Sequence, residues 1–152
     1  MKILVFSDSH GSMGKMVEAM EHERPQHVFF LGYHYRDGME LSSLYPDVPM
    51  DLVRGNCDWG QAPDLRVVEL EGVRFLLTHG HLQYVKSGLD ELVQEGLHRQ
   101  VNVVCFGHTH LAKVVYRQGI YLMNPGTVGG CRAREGYGVI QALGGSVNLE
   151  LK

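Results

Sequence analysis

The sequence predicts an α/β fold, a four-layer sandwich in which two mixed β-sheets pack face to face and α-helices cover their outer sides. Three features lead to this prediction. In the first third of the chain, short apolar runs alternate with helical patterns, which is the βαβαβ rhythm of parallel strands. Further along, apolar runs joined by short turns with glycine predict antiparallel hairpins. Strands also outnumber helices, so the helices can cover only the outer faces of the sheets, and the inner faces are expected to pack against each other.

Composition narrows the class of protein. The 152 residues, 44% of them hydrophobic, can fill one core, so we predict a single domain over residues 1–152. A net charge of −3 without a run of Lys or Arg argues against stable nucleic-acid binding. No apolar stretch reaches membrane-spanning or signal-peptide length, so we expect a soluble, cytoplasmic protein without membrane contact. The oligomeric state stays open, a homo-oligomer included.

The three cysteines give no structural framework. Cys57, Cys105 and Cys131 are odd in number and lack the spacing of a zinc knuckle. We therefore expect neither a set of disulfides nor a structural zinc site, and a reducing compartment.

The first half of the chain is predicted to alternate strands and helices. Residues 3–6 are wholly apolar, as in a strand buried on both faces. Met13, Met16, Val17 and Met20 have helical spacing, and Pro25 ends that helix. Residues 28–31 and 50–53 predict two further strands on either side of a helix at 38–44. Polar loops with glycine follow each strand, and parallel pairing collects them at one edge of the sheet.

The second half is predicted to be mostly antiparallel. Residues 65–70 and 73–77 form a hairpin through Glu71-Gly72, and residues 113–116 and 120–123 form another through Gln118-Gly119. Between the hairpins, apolar residues at helical spacing predict a helix, followed by a buried strand at 101–106. Residues 138–143 and 147–151 predict the last two strands.

The first candidate site follows the first strand. Asp8 and His10 are two residues apart, which in extended backbone directs an oxygen and a nitrogen ligand to the same side. The alternative is helix capping, in which Ser12 or Asp8 precedes the first helix. Capping accounts for Ser12 but gives His10 no role.

A second pair of candidate ligands follows the strand at 101–106. That strand leads into Gly107, and His108 and His110 then direct two imidazoles the same way, as a divalent metal requires. The alternative is a pair of loop histidines without a ligand. Asn56 taken alone would be a turn residue, whereas His79 follows the strand at 73–77 as the other candidates follow theirs.

In chain order, these strand ends resemble one known family. Asp8-x-His10, the Gly32 loop, Gly55-Asn56, His79 and Gly107-His108-x-His110 resemble the motifs of the calcineurin-like dinuclear metallophosphoesterases, over nearly the whole chain. The segments Gly55-Asn56-Cys57-Asp58, Thr78-His79-Gly80-His81 and Asn124-Pro125-Gly126 are similar to the small bacterial and archaeal phosphodiesterases of the YfcE-like branch.

The resemblance implies metal-dependent hydrolysis of small phosphodiesters at two divalent ions. Carboxylate, imidazole and amide ligands suit manganese, iron, zinc or nickel better than a thiolate-preferring ion. We expect manganese, with iron, zinc, nickel or magnesium as alternatives. The implied ligands are Asp8, His10 and His110 for the first metal and Asn56, His79 and His108 for the second. The implied catalytic residues are Asn56, Cys57, Asp58 and His81, of which His81 orients ligands or substrate.

The sequence departs from the family at the ligand that the two metals share. Tyr33 follows Gly32 where these enzymes carry a bridging aspartate. Two dications roughly 3.5 Å apart repel by on the order of 20 kcal/mol at an effective dielectric constant near 20, and a neutral phenol offsets little of this. We therefore expect weaker metal binding, with one ion in place of two, and reduced activity. His34 or Asp37 could replace the lost ligand, although His34 faces away if this segment is extended.

The leaving group has no evident acid in this sequence. Cys57 stands where many members of the superfamily have a histidine, so substrates whose leaving group is a weak base are expected to react best. Arg54, Arg132 and Arg134 either contact the substrate phosphate or are solvated surface residues. The alternative function is a non-catalytic interaction scaffold on the same fold, as in the retromer subunit that resembles these enzymes.

Overall fold

The protein is described from a computed structural model that covers residues 1–60, 62–130 and 135–152. The predicted layers are confirmed, because two mixed five-stranded sheets pack together and three α-helices flank them in these residues. The strands are β1 (Lys2–Phe6), β2 (His27–Phe30), β3 (Met50–Leu52), β4 (Leu65–Leu70), β5 (Val73–Thr78), β6 (Val103–Cys105), β7 (Lys113–Arg117), β8 (Ile120–Asn124), β9 (Gly138–Leu143) and β10 (Ser146–Leu151). The helices are α1 (Met13–Glu23), α2 (Tyr35–Leu44) and α3 (Asp90–His98).

Both sheets have a parallel centre. The first has the order β10-β9-β1-β2-β3, with β1, β2 and β3 parallel and β9 antiparallel to β1. The second has the order β4-β5-β6-β8-β7, with β5, β6 and β8 parallel and both outer strands antiparallel. In each sheet the carboxyl ends of the three parallel strands therefore meet at one edge, where the candidate residues are expected.

The core has three apolar layers. Between the sheets, the rings of Phe29 and Phe75 contact each other with centroids 5.2 Å apart. On the outside of the first sheet, Met16 of α1 and Leu41 of α2 pack in a cluster with strand residues. On the outside of the second, α3 supplies Leu92 and its neighbour Val93. The continuous apolar runs therefore belong to strands covered on both faces, as the sequence predicts.

Three local predictions need correction. Helix α2 begins at Tyr35, three residues before the predicted start, because Asp58 Oδ1 accepts a hydrogen bond from the Tyr35 N–H at 2.9 Å. Strand β6 is shorter than the predicted run at 101–106. Two short 3₁₀ helices, His81–Gln83 and Val85–Ser87, were not predicted. Within the described residues, no helix combines the length and apolar character needed to cross a membrane.

Candidate metal centre

Hydrogen bonds join the strand-end loops of the two sheets. Within the first sheet, the Asp8 N–H donates to the Gly32 carbonyl at 2.6 Å, and within the second the Gly107 N–H donates to the His79 carbonyl at 2.9 Å. Across the sheets, the His108 N–H donates to Asp8 Oδ2 at 3.1 Å. The two sheet edges therefore form one continuous site.

Two glycines permit this close approach. A Cβ on Gly107 would overlap Ser7 Oγ and lie 2.9 Å from Asp8 Oδ2. A Cβ on Gly32 would overlap the backbone nitrogen of Gly55. The glycines of the sequence motifs thus provide space for the neighbouring loop.

The carboxylate of Asp8 lies at the centre of the site and is 1% exposed. Its Oδ2 atom accepts hydrogen bonds from Ser7 Oγ at 2.6 Å and from the His108 N–H at 3.1 Å. Its Oδ1 atom lies 3.2 Å from His110 Nε2 and 3.8 Å from His79 Nε2. One oxygen is thus fixed by the protein, while the other faces imidazoles from two different loops.

The first predicted set of ligands converges. Ligand atoms of Asp8, His10 and His110 all lie within 4.8 Å of one another. The His10 and His110 rings are 5.1 Å apart and nearly perpendicular. One carboxylate oxygen and two imidazole nitrogens at these separations fit a divalent transition metal with open coordination positions. Asp8 does not cap the first helix, because its side chain accepts hydrogen bonds from Ser7 and from the His108 backbone. Ser12 precedes α1, but its side chain makes no capping hydrogen bond.

His79 and His108 form a second pair beside Asp8. The distance from His108 Nδ1 to His79 Nε2 is 3.2 Å. A carbonyl only accepts hydrogen bonds, so the 2.7 Å contact between His79 Nδ1 and the Leu31 oxygen places the proton on Nδ1 and leaves Nε2 as a ligand atom. Asn56 is exposed, and it follows Gly55, whose Cβ position lies 3.3 Å from His79 Nε2.

Burial keeps these imidazoles neutral. Burial, and then the neighbouring His79, lowers the pKa of His108 to about 4. Burial is also the main cause that lowers the pKa of His79, and burial followed by His110 lowers that of His10. Near neutral pH the nitrogens therefore keep the lone pairs that a metal needs.

The candidate ligands have an unusual backbone conformation. Asp8, His10, His108 and His110 have φ values of 53°, 47°, 70° and 64°, in the left-handed region that non-glycine residues rarely adopt. Each such residue costs on the order of 1–3 kcal/mol, and such strain clusters at functional sites.

Three supporting side chains hold this backbone in place and were not recognised from the sequence as a group. Thr127 Oγ1 donates to the Asp8 carbonyl at 2.7 Å, and Ser7 Oγ holds the Asp8 carboxylate. Asn124 Nδ2 donates to the Gly107 carbonyl at 3.1 Å and to Thr109 Oγ1 at 2.9 Å. The Asn124-Pro125-Gly126 turn was the only available signal, and it gave no role to Asn124.

Tyr33, at the position where the family resemblance implies a bridging aspartate, lies beside the first set of predicted ligands. Its ring centroid is 5.2 Å from that of His10 and 4.1 Å from that of His34. His34 was expected to face away only if this segment is extended, and that condition is not met, since its ring lies 6.0 Å from that of His10. The reason is that β2 ends at Phe30, so the segment turns instead of continuing as a strand.

Asp37 supports the first loop. Its Oδ2 atom accepts hydrogen bonds from Ser9 Oγ at 2.6 Å and from the Gly11 N–H at 2.7 Å. It is not part of the cluster formed by Asp8, His10 and His110. Its carboxylate is therefore engaged with the first loop, and its use as a replacement ligand stays a prediction.

The other predicted residues lie around this centre. Asp58 accepts backbone N–H groups with both carboxylate oxygens, from Tyr35 and from Gly55. The Cys57 thiol is exposed. The His81 ring lies 5.6 Å from His79 and 6.2 Å from His108, and its Nδ1 is buried without a hydrogen-bond partner among the described residues.

Of the arginine candidates for phosphate binding, the structure describes only Arg54. Arg54 Nε and Nη2 bind the Asp64 carboxylate at 2.6 and 3.2 Å, which engages this guanidinium with a protein carboxylate. Arg132 and Arg134, together with Cys131, lie outside the described residues.

Comparisons with known proteins identify the family of this chain. Residues 1–143 match the model of the calcineurin-like phosphoesterase superfamily domain. A Bacillus subtilis (strain 168) protein named "Probable metallophosphoesterase YsnB" is 32% identical over 92% of this chain and 83% of its own length. Phosphodiesterase YfcE of Escherichia coli K12 is 30% identical over 84% of this chain and 79% of its own length. Among solved structures, Vps29 of Chaetomium thermophilum has a TM-score of 0.82 at 20% identity, covering 97% of this chain and 84% of that one, which shows a shared fold. The chain therefore belongs to the calcineurin-like phosphoesterase superfamily.

Proposed function

We propose that this protein is a metal-dependent phosphodiesterase that hydrolyses small phosphodiesters. The main support is the convergence of Asp8, His10 and His110 within 4.8 Å, with His79 Nε2 3.8 Å from Asp8 Oδ1 and His108 Nδ1 3.2 Å from His79 Nε2. Membership of the phosphoesterase superfamily and the similarity to a protein named phosphodiesterase agree with this reaction class.

In this proposal the residues form two adjacent sites. Asp8, His10 and His110 hold one divalent ion, and Asn56, His79 and His108 hold a second, with manganese preferred and iron, zinc, nickel or magnesium as alternatives. Such ions would supply Lewis-acid stabilisation of the phosphoryl charge and a nucleophile generated from water. The protein contributes neutral imidazoles, a fixed carboxylate and a preorganised backbone.

Tyr33 makes the second site the weaker one. The first site retains Asp8, whereas the second has only neutral ligands once the bridging aspartate is absent. Asp8 Oδ1 lies closer to His110 Nε2 of the first site, at 3.2 Å, than to His79 Nε2 of the second site, at 3.8 Å. We therefore propose that one ion binds well, that the second binds poorly, and that turnover is reduced.

The remaining candidates have positioning roles in this proposal. Asp58 fixes the loop bearing Asn56, because both of its oxygens accept backbone N–H groups. His81 orients ligands or substrate from beside His79. Burial, and then His79, lowers the pKa of His81, which makes it a poor proton donor near neutral pH. With the Cys57 thiol alone beside the leaving group, diesters of acidic alcohols and phenols are expected to be the best substrates.

The test is hydrolysis of bis(p-nitrophenyl) phosphate with added manganese. We expect measurable turnover in the unmodified protein, and a loss of about 100-fold or more in His79→Ala, because direct ligands matter at least as much as the residues that orient them. His98→Ala, which removes an exposed imidazole at the end of α3, is the matched control and should retain activity. Absence of turnover in the folded protein with every candidate metal would contradict the enzyme and support the interaction scaffold.

A further inference from the structure

An aromatic groove lies beside the candidate metal centre. It has a volume of about 700 Å³ and runs between α2 and the loop that follows β3. Its lining includes Tyr35 and Met39 on the helix side and Cys57, Asp58 and Trp59 on the loop side. Trp59 is 94% exposed, and it is the only tryptophan in the chain. An indole ring that is exposed to solvent beside a candidate catalytic site indicates a binding surface for a planar apolar ligand.

Hydrogen bonds connect both walls of the groove to the loops that carry the candidate ligands. Asp58 ties the loop wall to the helix wall through Tyr35 and to Gly55, the residue before Asn56. On the other wall, Asp37 binds Ser9 Oγ and the Gly11 N–H, which flank His10. His34 lines the groove, and its ring is 6.0 Å from His10. A phosphate at the metal centre would therefore have this groove next to it.

The lining fits one class of substituent. Trp59 and Tyr35 offer aromatic faces, and Met39 offers a polarisable thioether. Glu40 and Ser43, on the same helix, supply hydrogen-bond acceptors for exocyclic amino groups. Aromatic side chains of this kind bind nucleobases by stacking, since every base has a π-face.

We propose that the groove is a subsite for the nucleobase of a small nucleotide substrate, with Trp59 stacking on the base. The inference rests on the proposed function, because it assigns the substrate of that site to the nucleoside phosphodiesters. A free nucleotide is favoured over a polymer, since the chain has a net charge of −3 and no basic run to follow a phosphate backbone.

The single tryptophan makes binding directly measurable without turnover. The full chain in magnesium buffer is titrated with adenosine 5′-monophosphate while the Trp59 fluorescence is recorded, and free N-acetyltryptophanamide in a parallel titration corrects for light absorbed by the base. Ribose 5-phosphate, which has the phosphate and sugar without the base, is the matched ligand. We expect saturable quenching by the nucleotide and none by ribose 5-phosphate.

Variants test the role of the indole by calorimetric titration of the same nucleotide. Stacking contributes about 1–3 kcal/mol per base, so Trp59→Ala should bind roughly 5- to 150-fold more weakly, whereas Trp59→Phe should retain most of the affinity. Tyr116→Ala is the control, because it removes an exposed ring from β7, next to Tyr121 in the second sheet, and should not change affinity. Since Trp59 is almost fully exposed, its substitution should leave the fold intact.

The outcomes separate this inference from the proposed function. Nucleotide binding that depends on Trp59 in a protein without hydrolytic activity would keep the subsite and reject the enzyme. Hydrolysis of bis(p-nitrophenyl) phosphate together with equal responses to nucleotide and ribose 5-phosphate, or with no loss in Trp59→Ala, would overturn the subsite and keep the enzyme.

Discussion

Tyr33 is the single side chain with the largest expected effect on the metal centre. Tyr33→Asp would add a carboxylate beside His10, where the tyrosine ring now lies 5.2 Å from the imidazole. A second negative charge offsets the repulsion between two dications, so we expect metal content to rise from about one to two ions per chain and turnover to increase. Elemental analysis after equilibration with manganese, together with the bis(p-nitrophenyl) phosphate assay, measures both effects.

Tyr33→Phe is the matched control for this prediction. It removes only the hydroxyl, so metal content should not change if the Tyr33 hydroxyl does not bind the metal. A fall in metal content in Tyr33→Phe would show that the phenolate is itself a ligand. Equal occupancy and equal turnover in Tyr33→Asp and the unmodified protein would reject the idea that Tyr33 impairs the site.

At the level of residues, the sequence predicted which side chains come together, but it did not predict the hydrogen bonds that hold them in place. Asp8, His10, His79, His108 and His110 converge because each follows a parallel strand and the strand ends of the two sheets lie next to each other, although their role as ligands stays a prediction. The supporting bond from Thr127 to the Asp8 carbonyl joins residues 119 positions apart, and no local pattern reports such a contact. The direction of His34 was not predictable, because the loop that follows β2 has no periodic pattern that fixes the side on which a residue lies.

The glycine after β6 limits how closely the two sheets' loops can approach. Gly107→Ala would place a methyl group against Ser7 Oγ and 2.9 Å from Asp8 Oδ2, in a buried site where neither neighbour can move without losing its own hydrogen bonds. Overpacking of this kind costs about 1–3 kcal/mol. Denaturant unfolding should show a lower midpoint, and metal affinity should fall as Asp8 is displaced.

Gly14→Ala is the control for the effect of a methyl group alone. Gly14 lies in α1, and an added Cβ would have no neighbour within 4 Å. Because alanine favours the helix, this variant should be more stable by about 0.5–1 kcal/mol. Similar midpoints for the two variants would contradict the argument that Gly107 is needed for close packing.

For elements, apolar periodicity was sufficient where a strand is buried on both faces, as in β1, β2 and β6. Periodicity was insufficient where a residue far away in the sequence determines the position at which a helix begins. Helix α2 starts at Tyr35 because Asp58, 23 positions further along the chain, accepts its N–H. The two 3₁₀ helices after β5 are too short to produce a periodic signal.

Glu23 connects the beginning, the first helix and the end of the chain. Its buried carboxylate accepts hydrogen bonds from Lys2 at 3.2 Å, from Tyr137 at 3.0 Å and from Lys152 at 3.0 Å. Glu23→Gln would keep the size of the side chain but remove the charge, and we expect a loss of about 1–3 kcal/mol in the free energy of unfolding. Chemical denaturation at neutral pH measures this loss.

The same carboxylate predicts a dependence on pH. Burial raises the pKa of Glu23, but hydrogen bonds from Lys152, Lys2 and Tyr137 outweigh it and lower the pKa below its usual value. The stabilisation is therefore complete above the unfolded-state pKa of about 4.3 and is lost as the pH falls through the lower folded-state pKa. The difference in stability between the unmodified protein and Glu23→Gln should shrink in that range.

For the whole molecule, the sequence predicted the layers but not the order of the strands within them. Short connections predicted the hairpins and the βαβ units correctly. The pairing of β1 with β9, in which Ile3 lies opposite Ile140, has no signal in either segment, because both are apolar runs that would fit any central position. Which strands become neighbours is decided by packing between sheets and not by local pattern.

The pairing of β1 with β9 also affects how the protein forms during synthesis. During synthesis β1 leaves the exit tunnel before β2 and can pair with it early, but its other edge stays open until Gly138–Leu143 has also emerged. Until then the chain exposes the unpaired edge of a strand whose residues Ile3 to Phe6 are apolar, which is a template for association with other chains. Chaperone engagement should accordingly persist until β9 pairs with β1, and a chain truncated before Gly138 should bind chaperones more strongly than the full chain does.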